Sequence, residues 1–231
     1  MKKIILIIIT MLPLVGWAID GNFLLKGKIS KGTAKAKIYL NYKLNGKMKT
    51  ISAPCPNGIF EFKGTIPEPK LARLIMDYKG IGLEALGEEA DALVFFLEPG
   101  NITVATTSTL KNAVVTGSKL NEENKKFMVL LKPINASMNA IVTDFYSAPE
   151  TKQQSAEFKN EMDAKLKDVG VKRRAVLNEY VKSHPSSFIS LQTLMEAFEE
   201  NVDVKKIKAL FNTLSPQLRN SPSGKVLNSK L

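Results

Sequence analysis

Val115-Thr116-Gly117-Ser118-Lys119-Leu120 is the stretch on which the reading of the chain turns. Upstream of Gly117 the apolar residues alternate with polar ones. Phe23, Leu25 and Ile29 oppose Lys26 and Lys28; Ala36, Ile38, Leu40 and Tyr42 oppose Lys35, Lys37 and Lys43; Phe60 and Phe62 oppose Glu61 and Lys63. A period of two means strands with one buried face. The breaks carry turn chemistry at Lys31-Gly32, Asn45-Gly46, Asn57-Gly58 and Pro99-Gly100-Asn101, and Asn-Gly between alternating runs signals a hairpin because both residues tolerate positive φ. Further strands are expected at 71–78, 93–98, 102–106 and 113–116. About eight short strands at this spacing predict an antiparallel β-sandwich or open barrel.

Downstream of Ser118 the period lengthens. Leu120, Phe127, Leu131, Ile134, Met138, Ile141 and Phe145 draw one apolar stripe along a helix, which Pro133 should kink or break. Phe158, Met162, Leu166, Val169, Val176 and Tyr180 draw a second. Shorter helices are expected over 185–199, with Pro185 at the first helical position, and over 203–213. Ser215-Pro216 reads as a cap and first residue of one last turn. The chain is therefore α+β: a β-sandwich domain over 19–117, an α-helical spacer domain over 118–220 and a C-terminal tail over 221–231.

The first 18 residues read as a targeting device. Lys2 and Lys3 precede an apolar run from Ile4 to Val15, closed by Gly16-Trp17-Ala18. A charged start, a short apolar core and small residues before the cut make a signal peptide. The run is too short for a hydrocarbon core that needs roughly 20 residues. The mature protein is expected to be exported and soluble, in the periplasm or cell envelope, with no transmembrane segment.

Composition excludes several chemistries. Among 231 residues there is one Cys and one His. A disulfide scaffold, an intramolecular C-x-x-C pair, a cysteine zinc site and a multi-histidine metal centre all fall away. No catalytic, cofactor-binding or metal-binding residue is assigned, and no cofactor is expected.

Lysine is the compositional anomaly: 33 Lys and Arg stand against 22 Asp and Glu. Strand alternation puts Lys26, Lys28, Lys35, Lys37 and Lys43 on outward faces, where one positive sheet surface would attract an anionic envelope component. The plain alternative is that such lysines block sheet-to-sheet aggregation. Nucleic acid is not an expected partner, since no aromatics interleave to stack bases. Cys55, in Ala53-Pro54-Cys55-Pro56, is either an exposed thiol that pairs with another chain or an incidental turn residue. His184 sits among Ser183, Ser186 and Ser187 before Pro185; without an orienting carboxylate or a G-x-S-x-G, helix capping explains these serines better than catalysis. Gly80-Ile81-Gly82 lacks the P-loop pattern and runs into Glu84, Glu88, Glu89 and Asp91, so it reads as a solvated loop and not a phosphate cradle.

Several segments together carry a family resemblance. Phe23-Leu24-Leu25-Lys26-Gly27-Lys28-Ile29, Ile38-Tyr39-Leu40, Asn57-Gly58-Ile59-Phe60-Glu61-Phe62-Lys63-Gly64, Phe95-Phe96-Leu97-Glu98-Pro99-Gly100 and Val115-Thr116-Gly117-Ser118 resemble an uncharacterised N-terminal domain. That domain precedes thioredoxin-like modules of the TlpA or AhpC/TSA type in exported proteins of Bacteroidota. The helical half is similar to the spacer that follows it, notably in Tyr180-Val181-Lys182-Ser183-His184-Pro185-Ser186-Ser187. The resemblance implies a downstream thioredoxin-like domain whose two cysteines exchange disulfides. A single Cys cannot both attack and resolve, so that activity is not carried over to any residue here. The expectation is a non-catalytic accessory module that self-associates or docks a thioredoxin-like domain. A stand-alone envelope protein binding an anionic ligand through its lysines, or a fragment of a full thiol–disulfide oxidoreductase, are the alternatives.

Overall fold

The computed structural model describes residues 21–29, 34–87, 89–200 and 203–231. The leader expected over 1–18, the Lys31-Gly32 turn and Glu88 lie outside the described residues.

Eight strands come first: β1 (Gly21–Ile29), β2 (Lys37–Leu44), β3 (Lys47–Pro54), β4 (Ile59–Ile66), β5 (Lys70–Asp77), β6 (Ala92–Leu97), β7 (Gly100–Thr106) and β8 (Val114–Thr116). They form two four-stranded sheets, ordered β4-β1-β7-β8 and β3-β2-β5-β6. The alternation read from the sequence is what closes them face to face. Leu25 lies between Phe62 and Ile102 in the first sheet, and Leu40 between Ile51 and Leu74 in the second. All six belong to or pack against one core, which also takes in Phe23, Tyr42, Phe60 and Phe95. Two sheets sharing one interior make a sandwich, not an open barrel.

One pairing departs from the antiparallel expectation. β1 runs parallel to β7, with Leu25 opposite Ile102 and Gly27 opposite Val104. The two are far apart in sequence, so the connection crosses through the other sheet, as a parallel pair requires. Of the two Asn-Gly signals, Asn45-Gly46 does close the β2–β3 hairpin, both residues at positive φ (51° and 77°). Asn57-Gly58 does not. It sits in a one-turn 3₁₀ segment that carries the chain from β3 in one sheet to β4 in the other. Its glycine is still obligatory: at φ 75°, a Cβ on Gly58 would lie 1.6 Å from the Ile29 carbonyl oxygen.

Seven helices follow among the described residues: α1 (Lys119–Ser147), α2 (Glu150–Gln154), α3 (Ala156–Ser183), α4 (Phe188–Glu199), α5 (Val204–Thr213), α6 (Pro216–Arg219) and α7 (Pro222–Asn228). Ser118 caps α1 by accepting from Asn121 N at 3.0 Å. Pro133 does not end α1; its ring is on the exposed side, and helix continues through it to Ser147. α4 begins later than expected, because Ser187, not Ser183 or Ser186, supplies the cap and Pro185 stays outside the helix. The expected tail is also structured: Ser221 caps α7, and Leu227 enters the helical core.

The halves meet at β6. Phe95 and Leu97 point into the sandwich, while Phe96 points out of it and joins the helical core, its ring edge-on to Phe188 at 6.2 Å. β6 is an edge strand, and its free backbone is sealed by one side chain. Asn121, buried in the first turn of α1, accepts from Phe96 N at 2.9 Å and donates to Phe96 O at 2.7 Å. An unpaired edge is thereby capped without a further strand. A second clasp is Glu68, buried in the β4–β5 turn, whose carboxylate accepts from Ser223 N at 3.0 Å and Ser223 Oγ at 2.5 Å at the start of α7 and also pairs with Lys70.

Candidate functional site

The outward lysines do not form one surface. Lys26 and Lys28 lie on β1 and Lys37 and Lys43 on β2. These strands belong to opposite sheets whose inner residues share one core, so their outer faces point away from each other. Alternation tells in from out, but not which sheet a strand joins. Lys35 is exposed in the turn before β2. Lys26 moreover lies across the ladder from Glu61 and pairs with it at 3.5 Å, and Lys63 takes the same carboxylate at 2.7 Å. The single cationic face expected from these five residues is not there.

Cys55 is not at the surface. Its side chain is fully buried in the sandwich core, and burial pushes the thiol up to about 11. The reason is local: Cys55 N bonds Ala36 O at 2.9 Å, which turns the side chain inward under the crossover. A protonated, enclosed thiol neither attacks nor pairs with another chain in this conformation.

His184 closes α3. Its ring stacks on Tyr180 at 4.2 Å, and Nδ1 lies 2.9 Å from Ser183 Oγ and 3.1 Å from Tyr180 O. Ser183 Oγ donates to Glu179 O at 2.7 Å, and Ser190 Oγ donates to His184 O at 2.8 Å. The serines and the histidine tie off helix ends. Tyr180 Oη donates a hydrogen bond to Glu123 Oε1 at 2.7 Å; burial first, then that bond, raises its pKa.

The glycine loop is an anion nest filled from within. Asp77, fully buried at the end of β5, accepts from Lys79 N, Gly80 N and Ile81 N through Oδ1 and from Gly82 N through Oδ2, at 2.7–3.2 Å. Burial on its own would raise the carboxyl's pKa; the four N–H donors outweigh it and hold the group below the usual carboxylate range. The solvated loop expected at 80–82 is therefore a wrapped one. Nearby, Asp91 accepts from Tyr78 Oη at 2.5 Å and from Leu110 N and Lys111 N at 2.8 and 3.0 Å. Among the described residues no group of three or more His, Cys, Asp or Glu is placed to hold a metal ion.

What the sequence did not point to is a groove of about 710 Å³ where the second sheet meets the helices. One wall is the outer face of β2, β5 and β6, with Asn41, Lys43, Leu71, Arg73 and Val94; the other is α4, with Met195, Glu196 and Glu199; α7 closes one end with Val226. Leu71, Val94 and Val226 are 42%, 57% and 51% exposed, an apolar floor open to solvent. Basic groups stand on the sheet wall and carboxylates on the helix wall. Asn41 Oδ1 is buried with no hydrogen-bond partner, which costs free energy until a donor reaches it.

Comparison with known families adds one finding. Residues 23–124 match the family described as Domain of unknown function (DUF4369). The match takes in the first six residues of α1, and the fold gives a reason for that overrun. Asn121 seals β6 and Leu120 enters the helical core, so the sandwich is complete only with the first turn of α1. No curated protein and no solved structure matches the chain. Among the described residues no helix is long and apolar enough to cross a membrane.

Proposed function

We propose that the chain is a non-catalytic interaction module, exported to the cell envelope, whose sheet–helix groove receives an extended polypeptide segment of a thioredoxin-like partner domain. The observation that carries this is the groove itself. Its exposed apolar floor, its walls of opposite charge and the unpartnered Asn41 amide oxygen suit a peptide, which offers apolar side chains, charges of both signs and backbone N–H donors together. The choice of partner rests on the sequence resemblance. The lack of a reaction rests on the chain's own groups: the only thiol is buried and protonated, and the only imidazole caps a helix.

The test uses a thioredoxin-like domain from an exported protein carrying the same β module. Calorimetric titration against the chain should give saturable binding, weakened about tenfold by Val94→Glu, which alters an exposed side chain at the groove floor. The chain alone should not reduce insulin disulfides. Reduction by the chain unaided, or binding indifferent to Val94→Glu, overturns the reading.

A further inference from the structure

The groove between the second sheet and α4 holds charges that the chain itself leaves unmatched. On the sheet wall, Arg73 stands across strands between Asn41 and Val94, and Lys43 lies opposite Met48; none of these neighbours is acidic. On the other wall, Gln192, Met195, Glu196 and Glu199 follow the i, i+3, i+4, i+7 spacing that sets them on one face of α4. Among the described residues Lys43 and Arg73 make no ion pair, and neither do Glu196 and Glu199; the Glu196 carboxylate accepts only from Gln192 Nε2, at 3.1 Å. Elsewhere the chain matches such charges. Lys26 pairs with Glu61 across its own ladder, and at the groove's end Lys70 is taken by Glu68 while Lys230 lies over the Phe198 ring at 5.6 Å. The last turn of α4 also has no basic residue, so its carboxylates sit at the negative end of the helix dipole, which disfavours them.

We infer that the groove selects an extended guest segment in which an acidic and a basic residue are adjacent in sequence, the acid turned to the sheet and the base to α4. This deepens the peptide-binding reading above and rests on it. Successive side chains of an extended segment point to opposite sides. Adjacent residues therefore meet opposite walls, whereas residues two apart meet the same wall. The register follows from the floor. Asn41 and Arg73 are partners on neighbouring strands, about 5 Å apart. A carboxylate on the Arg73 guanidinium brings the same residue's backbone N–H within reach of Asn41 Oδ1, the buried acceptor that no described residue satisfies. Apolar side chains flanking the charged pair rest on Leu71 and Val94. A wholly acidic segment is repelled by α4 and a wholly basic one by the sheet. Composition alone does not qualify a guest; the order of its charges does.

Two short, capped, fluorescently labelled peptides of identical composition test this on the full chain. Both are built of valine and threonine around one aspartate and one lysine, adjacent in the first peptide and separated by one residue in the second. Anisotropy titrations at low salt should show the adjacent form binding about tenfold tighter, with the preference fading as salt rises. Arg73→Glu and Glu199→Lys, both at exposed positions, should each weaken the adjacent peptide about tenfold while leaving the thermal unfolding midpoint unchanged. Asn41→Leu should move two readouts in opposite directions. It should weaken the adjacent peptide about tenfold yet raise the midpoint by a few degrees, because it removes a buried acceptor that has no donor; an asparagine with a merely structural role would lower the midpoint when lost. Equal binding of the two peptides, or binding of neither, overturns the inference. So does an adjacent peptide indifferent to Arg73→Glu and Glu199→Lys, or an Asn41→Leu protein that is less stable with its affinity unchanged. A thioredoxin-like domain that binds in a Val94-dependent way while the peptides show no order preference removes this inference alone. An order preference among the peptides without binding of that domain removes the choice of partner alone.

Discussion

The β-sandwich and the far half of the α1/α3 hairpin are built to different standards. The sandwich gathers nineteen buried residues into one core, whereas the far hairpin rests on a satellite cluster of four: Ile141, Phe158, Met162 and Val169. The sandwich also satisfies most of its buried polar groups internally, Asn41 Oδ1 excepted. Asp77 fills its own loop, and Asn121 seals its open edge. Both regions leave single apolar side chains outward, Leu71 and Val94 on the sandwich and Val129 and Tyr146 on the hairpin. The larger core makes the sandwich the more stable platform, and the smaller one makes the far hairpin the region that opens first.

The sharpest way to break this contrast is to excavate each core. Phe95→Ala in the sandwich should cost about 3–5 kcal/mol and lower the urea midpoint of the whole β half. Ile141→Ala should cost about 2 kcal/mol, with the lost hydrogen-exchange protection confined to the far hairpin. Equal global losses would show that the two regions fold as one unit.

Next in size comes the wrapped loop. Asp77→Asn replaces a charged acceptor of four N–H groups and should cost about 2–3 kcal/mol at neutral pH. Its folded pKa lies below its unfolded value, so its contribution is full above the unfolded pKa and is lost as pH falls through the folded one. Wild-type stability should therefore fall below about pH 5 more steeply than that of Asp77→Asn, as followed by urea titration at each pH. Parallel acid limbs would remove Asp77 from the account.

Glu68→Gln should have a smaller effect, about 1–2 kcal/mol, by weakening the clasp between the β4–β5 turn and α7. Hydrogen exchange should report it as faster exchange in α7 with the sandwich unaffected. The smallest effect on stability is that of Cys55→Ala, a change of one buried sulfur, about 1 kcal/mol. Its informative counterpart is the wild-type thiol, which should resist alkylation in native buffer and react once denaturant opens the core.

The architecture was readable to a depth that differs along the chain. β5, β6, β7 and β8 lie within a residue or two of where alternation put them, and α5 starts behind Asp203 as expected. The errors share a source. Asn57-Gly58 has the backbone conformation its residues suggest, yet it links two sheets instead of two paired strands. Pro185 has the right chemistry for a helix start but a better cap follows it at Ser187. Asp77 left a faint trace, an aspartate ahead of Gly-x-Gly, and Glu68 between two prolines left none that names Ser223 as its mate.

Local order was thus written into the chain directly, because a period of two or of three to four decides which side of a single element can be buried. Whether Lys26 and Lys37 share an outer face, whether Cys55 meets solvent, and what lines a groove assembled from Asn41, Val94, Met195 and Val226 depend on pairings between segments far apart in sequence. Those pairings are chosen by how the sheets and helices together exclude water, and no single segment carries that information.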